Sequence, residues 1–194
     1  MNYLAHAYLS FNQPELLVGN MISDHVKGRK QYDYAEGILK GIKLHRAIDS
    51  FTDEHEATRQ AKEYFRKDYR LYAGAFVDVV YDHYLALDTN SFASDDDLQA
   101  TASFTYDTLQ DYEAILPEKF QPMLPYMKAQ NWLYNYQFKW GIEKSLAGVV
   151  RRSKYLEESA RAFATFETNY VALKECYCIF FPELKTMAQK LLRL

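Results

Sequence analysis

The chain has 194 residues, of which 48% are hydrophobic and 25% charged, with a formal net charge of -3. That length suits one domain with a real core, the mixture excludes a disordered chain, and the charge argues against a general nucleic-acid binder. No window reaches the roughly 18 uncharged apolar residues of a membrane span, and MNYLAHAYLSF has neither a basic run nor a cleavage site, so a cytoplasmic protein is expected.

Helical periodicity runs throughout and no segment alternates long enough to build a sheet, so one all-α domain over residues 1–194 is expected. A short first helix should cover Asn2 to Phe11. Pro14 fits the first turn of a second, running to about Lys27 with Gly28 as its stop. A third helix covers Tyr34 to Thr52, and a basic amphipathic fourth Glu56 to Arg66. The segment Tyr69 to Leu87 is apolar almost all round and should be central. Along it Leu71, Ala75, Asp78, Asp82 and Leu85 form a stripe with two aspartates in its middle, and His83 comes next to the second. Asp88 to Asp97 reads as a polar connection with Ser94, or an aspartate after it, as a helix cap.

Leu98, Ala102, Thr105, Leu109 and Tyr112 define the next helix, ending near Pro117. Pro117, Pro122 and Pro125 break the chain beyond it into short turns. After Trp132, Tyr134, Tyr136 and Trp140 a helical segment should reach Val150. A last long helix shows Leu156, Ala160, Phe163, Phe166, Tyr170, Leu173, Tyr177 and Phe180 on one face, and Pro182 should open a terminal helix. Cys176 and Cys178 lie too close on a helix for an ordinary disulfide and lack the partners a zinc site needs.

The charge is unevenly spread. Lys27 to Arg46 holds six basic residues against two acidic ones, whereas Asp88 to Glu118 holds eight acidic residues and no Lys or Arg. Such segregation suggests a basic surface facing an anionic partner; its plain alternative is a solvated face.

His45, Asp49 and Asp53 are spaced four residues apart and so share one helical line, behind the apolar Ile38 and Ile42. Ionised carboxylates on an inward face are costly unless paired, and a divalent cation pairs them well. Asp78 and Asp82 pose the same problem on another helix. Together with His6, Asp24 and His83, these groups offer imidazole and carboxylate ligands that suit Mn, Mg, Fe or Zn, the carboxylates leaning toward Mn and Mg. Each has a plainer reading: His6 a helix brace, Asp53 an N-cap, His45 with Asp49 a buried salt-linked pair. His25 and His55, beside charged neighbours, read as surface residues. Phosphate loops, His-Glu-x-x-His and glycine-flanked serines are absent.

Four blocks, NYLAH (Asn2 to His6), GNMISDHVKG (Gly19 to Gly28), GIKLHRAIDSFTD (Gly41 to Asp53) and DVVYDHYL (Asp78 to Leu85), closely resemble the acyl carrier protein phosphodiesterases. A weaker echo lies at Asn131 to Arg152. That family is similar in turn to the HD-domain phosphohydrolases, an all-α superfamily that binds divalent metals through His and Asp. The resemblance implies Mn-dependent cleavage of the phosphodiester between 4′-phosphopantetheine and a carrier-protein serine.

On this reading His45, Asp49, Asp78, Asp82 and His83 surround Mn2+, with Mg2+ or Fe2+ as alternatives. Asp24 and His6 serve as ligands, supporting groups or general acid and base. Arg46, a step off the ligand line, is the candidate phosphate clamp. Lys27, Arg29, Lys30, Lys40, Lys43, Arg151, Arg152 and Lys154 would dock the acidic acyl carrier protein. Two other readings are an HD-like hydrolase of a small nucleotide and a non-catalytic helical adaptor.

Overall fold

A computed structural model describes residues 1–193, and among them there are eleven α-helices and no strand. The all-α bundle expected from the periodicity is thus what forms. The first two helices, α1 (Tyr3–Tyr8) and α2 (Pro14–Ile22), are shorter than their apolar patterns suggested, because α2 gives way to a 3-10 turn at Ser23–His25. Then come α3 (Glu36–Glu54) and α4 (Glu56–Tyr69). His55, not Asp53, caps α4, its Nδ1 accepting from the Ala57 amide at 3.2 Å.

Helix α5 (Ala73–Ala86) is the axis of the bundle. It packs against α1, α4 and two later helices, α9 (Lys139–Arg152) and α11 (Tyr170–Leu192). Phe76, Val77, Val80, Tyr81 and Leu85 on it are fully buried, each worth on the order of 1.5–3 kcal/mol in area removed from water. Leu71 does not join that stripe. It lies in a 3-10 turn before the helix and is 99% exposed.

Ser94 caps α6 (Asp95–Asp111) in a reciprocal box with Asp97. Short helices α7 (Leu124–Ala129) and α8 (Trp132–Asn135) come after the proline-rich stretch and lead into α9. The expected long helix from Leu156 is two, α10 (Ala160–Thr168) and α11, broken at Asn169. Pro182 lies inside α11 rather than opening a new helix. It denies an amide to the carbonyl one turn back, at Cys178, an exposed position where water can take that bond. Cys176 and Cys178 are both free thiols.

Two glycines set the spacing that matters for the site. A β-carbon on Gly19 would run into the Ile38 carbonyl and come 2.9 Å from the Gly41 Cα. A β-carbon on Gly41 would meet the Asn20 amide at 2.8 Å. Only bare backbones let α2 and α3 approach this closely, and the approach brings Asn20 beside His45.

Candidate metal centre

His6 from α1 and His45 and Asp49 from α3 bring one ligand atom each within 4.8 Å of one another. Asn20, fully buried on α2, orients both imidazoles. Its main-chain carbonyl, which can only accept, lies 2.7 Å from His45 Nδ1, so that nitrogen carries the proton. Its side-chain Nδ2 donates to the His6 carbonyl and to Ser10 Oγ, leaving Oδ1 to accept from His6 Nδ1 at 2.8 Å. With both Nδ1 positions protonated, the two Nε2 atoms turn toward Asp49. This is how metal-binding imidazoles are usually held.

His45 Nε2 lies 3.1 Å from Asp49 Oδ2 and 3.2 Å from Asp24 Oδ1. Burial works against a charge on His45, but hydrogen bonds to Asp24 and Asp49 outweigh it and raise its pKa to about 9. His6 goes the other way: burial, then the neighbouring His45 charge, lower it to about 4. A neutral His6 presents its Nε2 lone pair to Asp49 Oδ1 at 3.4 Å, buried and with no hydrogen-bond partner. Two acceptors face each other there. A cation between them would give His6 Nε2 the partner it lacks, so this donor set fits a divalent ion.

Asp49 itself stays ionised. Burial opposes its charge, yet the hydrogen-bonded His45 ring and the Met1 ammonium hold its carboxyl far below the usual carboxylate range. Asp78 on α5 converges on the same region, since the Met1 ammonium sits 3.3 Å from Asp49 Oδ1 and 3.2 Å from Asp78 Oδ1. Two carboxylates from different helices are therefore aimed at one positive centre. Asp24 stands more exposed in the turn after α2, its pKa lowered chiefly by the His45 hydrogen bond.

A cavity of about 270 Å³ opens over these groups, with Asp24, His45, His6 and Asp78 in its wall and Tyr3, His25 and Arg152 facing them. His25, which read as a surface residue, is half-buried against Phe120 at 5.5 Å.

Three other expectations are corrected. Asp53 is exposed and pairs with Lys62 at 2.7 Å, because the last turn of α3 leaves the cluster. Asp82 is fully buried with both oxygens occupied, accepting from the amides of Leu4 at 2.8 Å and Ala5 at 3.1 Å. It thus caps the N-terminus of α1 from a distance and aims His6 rather than facing the centre. Burial, only partly offset by those amides, pushes its pKa up to about 7. His83 points out of the opposite side of α5, with Nδ1 on the Tyr136 carbonyl at 2.7 Å and Nε2 on the Tyr170 hydroxyl at 2.9 Å. Both ring nitrogens being used, it holds α5 to α11 and to the end of α8.

Arg46 also lies elsewhere. It donates to Gln31 Oε1 at 2.7 Å and to the Val26 carbonyl at 3.2 Å, fastening the 26–31 segment to α3. The guanidinium that reaches the cavity is that of Arg152. Asn20 and Tyr3 were not singled out from the sequence. A lone asparagine inside the apolar run Leu16 to Ile22 was the available signal for the first.

Fold and site together define an all-α protein with a buried His and Asp cluster at the floor of a small cavity. The family model described as acyl carrier protein phosphodiesterase matches residues 1–184. A Photorhabdus laumondii protein of that name is 30% identical over 97% of this chain and 96% of its own length. Its counterpart from Yersinia enterocolitica is 30% identical, and that from Pectobacterium atrosepticum 31%, each over 97% of this chain and 98% of the relative. No solved structure matches the chain significantly. The chain belongs to the acyl carrier protein phosphodiesterase family.

Proposed function

We propose that this chain is a metal-dependent, HD-like phosphodiesterase that removes 4′-phosphopantetheine from holo-acyl carrier protein and leaves the apo carrier. Family membership supports the substrate, and one observation carries the metal: the buried His6 Nε2 and Asp49 Oδ1 facing each other as acceptors. His6, His45 and Asp49 would hold the ion, Mn2+ first and Mg2+ or Fe2+ as alternatives, with Asp24 and Asp78 beside them. A bound divalent cation lowers the pKa of water and offsets the charge that builds on a phosphoryl group.

The protein's own groups supply the rest. Asp24, a carboxylate in the cavity wall 3.2 Å from His45 Nε2, is placed to take a proton from the attacking water. Arg152 provides a fixed positive charge across the cavity for the phosphate oxygens. Breaking the bond between phosphorus and the serine oxygen returns a proton to that oxygen and frees phosphopantetheine.

The carrier would meet a basic face. Lys27, Arg29 and Lys43 are exposed, and Arg46 ties the segment bearing the first two to the helix bearing the third. That face flanks Asp24, so an acidic carrier docked on it would have its modified serine near the cavity mouth.

The test is to incubate holo carrier with the protein and Mn2+ and to weigh the carrier by mass spectrometry. Loss of one phosphopantetheine, blocked by a chelator, is the expected result. An unchanged carrier would refute the substrate, and full activity after chelation would refute the ion. A protein free of Mn, Mg and Fe that binds carrier without altering it would instead be an adaptor.

A further inference from the structure

A second and larger cavity, about 690 Å³, lies between α8 and α9 and shares Asn2, Tyr3 and Arg152 with the cavity over the His and Asp cluster. We propose that it is the subsite for the pantetheine arm of the carrier's prosthetic group, entered past Arg152. This rests on the substrate proposed above.

Three features of the cavity match that ligand. The first is position: a phosphate held at Arg152 borders a chamber that begins at Arg152 itself, of a size usual for small-molecule sites.

The second is the wall. Trp132 and Trp140 stand in the wall and bring apolar surface suited to the dimethyl and methylene groups of the arm, Trp140 with Phe138 stacked on its ring and Lys144 Nζ 4.8 Å from its centroid. Between them stand amide side chains with spare capacity. Asn135 Nδ2 donates to the Gln130 carbonyl, and Gln130 Oε1 accepts from Trp132 Nε1. Asn135 Oδ1 and Gln130 Nε2 make no hydrogen bond among the described residues, leaving one acceptor and one donor for the two amides of the arm. Asn2 is in the same condition, its Nδ2 on the Tyr136 hydroxyl and its Oδ1 unused.

The third is charge. Arg151 and Arg152 form no ion pair among the described residues, and both guanidinium groups come close to Gly148 on the cavity wall. An unpaired guanidinium at the joint between the two cavities, that of Arg152, suits a phosphate there, with Arg151 beside it in the larger cavity and a neutral arm beyond.

Trp132 and Trp140 are the only two tryptophans in the chain, so intrinsic fluorescence reads this cavity directly. Pantetheine, which lacks the phosphate, is titrated into the full-length protein without added metal. A saturable change in tryptophan emission is expected, and no change up to about 10 mM would overturn the proposal.

Ser145→Phe, which places a ring inside the cavity, and Trp140→Ala, which removes one wall, are then assayed on holo carrier. Each should lower kcat/KM by roughly tenfold or more while Mn2+ affinity holds. Wild-type kcat/KM in both would overturn the subsite. Should Ser145→Phe fail to fold, Trp140→Ala decides, since that side chain is already 46% exposed. If the wild-type protein leaves holo carrier intact, the substrate reading has failed, and the pantetheine titration still tests the cavity by itself.

Discussion

The imidazole rings of His6 and His45 lie face to face, 3.9 Å between centroids and 13° from parallel. Two rings so stacked cannot both carry a proton charge cheaply, and the surroundings settle which one does. His45, between Asp24 and Asp49, is protonated at neutral pH; His6, fixed by Asn20, is not.

That division predicts the pH dependence of stability in the metal-free protein. The folded pKa of His45, about 9, exceeds its ordinary 6.5, so its contribution is full below 6.5 and is lost as pH rises through 9. The folded pKa of His6, about 4, lies below 6.5, so its contribution is full above 6.5 and is lost as pH falls through 4. Urea midpoints measured in chelator should fall as pH rises from 6.5 through 9; on the acid side Asp82, whose folded pKa of about 7 exceeds its ordinary 3.8, gains stability as pH falls and offsets the His6 loss. In His45→Gln the alkaline limb should shrink without vanishing, because the Met1 ammonium, raised to about 10, also contributes there.

Removing the asparagine that orients both rings should damage ion binding without touching a ligand. Asn20→Ala leaves His6 Nδ1 without its acceptor, and losses of this kind cost roughly 10- to 100-fold in metal affinity. Calorimetric titration with Mn2+ reads the effect. Unchanged affinity would show that Asn20 does not orient the donors.

Asp49 and Asp82 should separate cleanly under the same substitution. Asp49→Asn takes away a charge aimed at both imidazoles, and turnover of holo carrier should fall below about one per cent. Asp82→Asn trades a carboxylate that caps α1 for an amide with a single acceptor, at a cost of about 1–3 kcal/mol. That is roughly 2–12 °C in Tm for a chain of this size, with one Mn2+ still bound. Equal loss of Mn2+ in the two variants would return Asp82 to the ligand set.

Much of this arrangement was legible in the residues and some was not, for reasons of range. His45 and Asp49 are one turn apart on a single helix, so their meeting is a matter of helical spacing alone. Asp82 was readable as a buried acid with a partner, but two main-chain amides from the first helix satisfy it as well as an ion would, and those amides have no signature in sequence. His83 went astray similarly, its partners being a carbonyl and a phenol more than fifty positions away. The line from His45 ran one residue too far, to Asp53, because periodicity does not say where a helix leaves the core. Leu156 to Phe180 kept its apolar face across two helices, and only backbone geometry marks the break at Asn169.

Gly41→Ala tests the close approach of α2 and α3. Its new methyl would meet the backbone of Leu16 and Asn20, so the helices must part, at about 1–3 kcal/mol or more. Both Tm and Mn2+ affinity should drop together, because parting the helices draws Asn20 from His45. A lower Tm with unchanged affinity would disconnect the packing from the centre.

Reversing the basic face should affect encounter and not chemistry. Lys27→Glu with Arg29→Glu is expected to raise KM for holo carrier several-fold at low salt, with kcat little changed. The difference from wild type should narrow as salt is added. A fall in kcat alone would place these side chains at the reacting bond.

Helix α1 is six residues long, too short to persist in water unaided, and it stays wound because a carboxylate on α5 receives its leading amides. His6 is therefore delivered only after distant parts of the polypeptide have docked. Heat or denaturant should extinguish ion capture and ordered structure in one step, and no excised fragment lacking α5 would retain a partial centre.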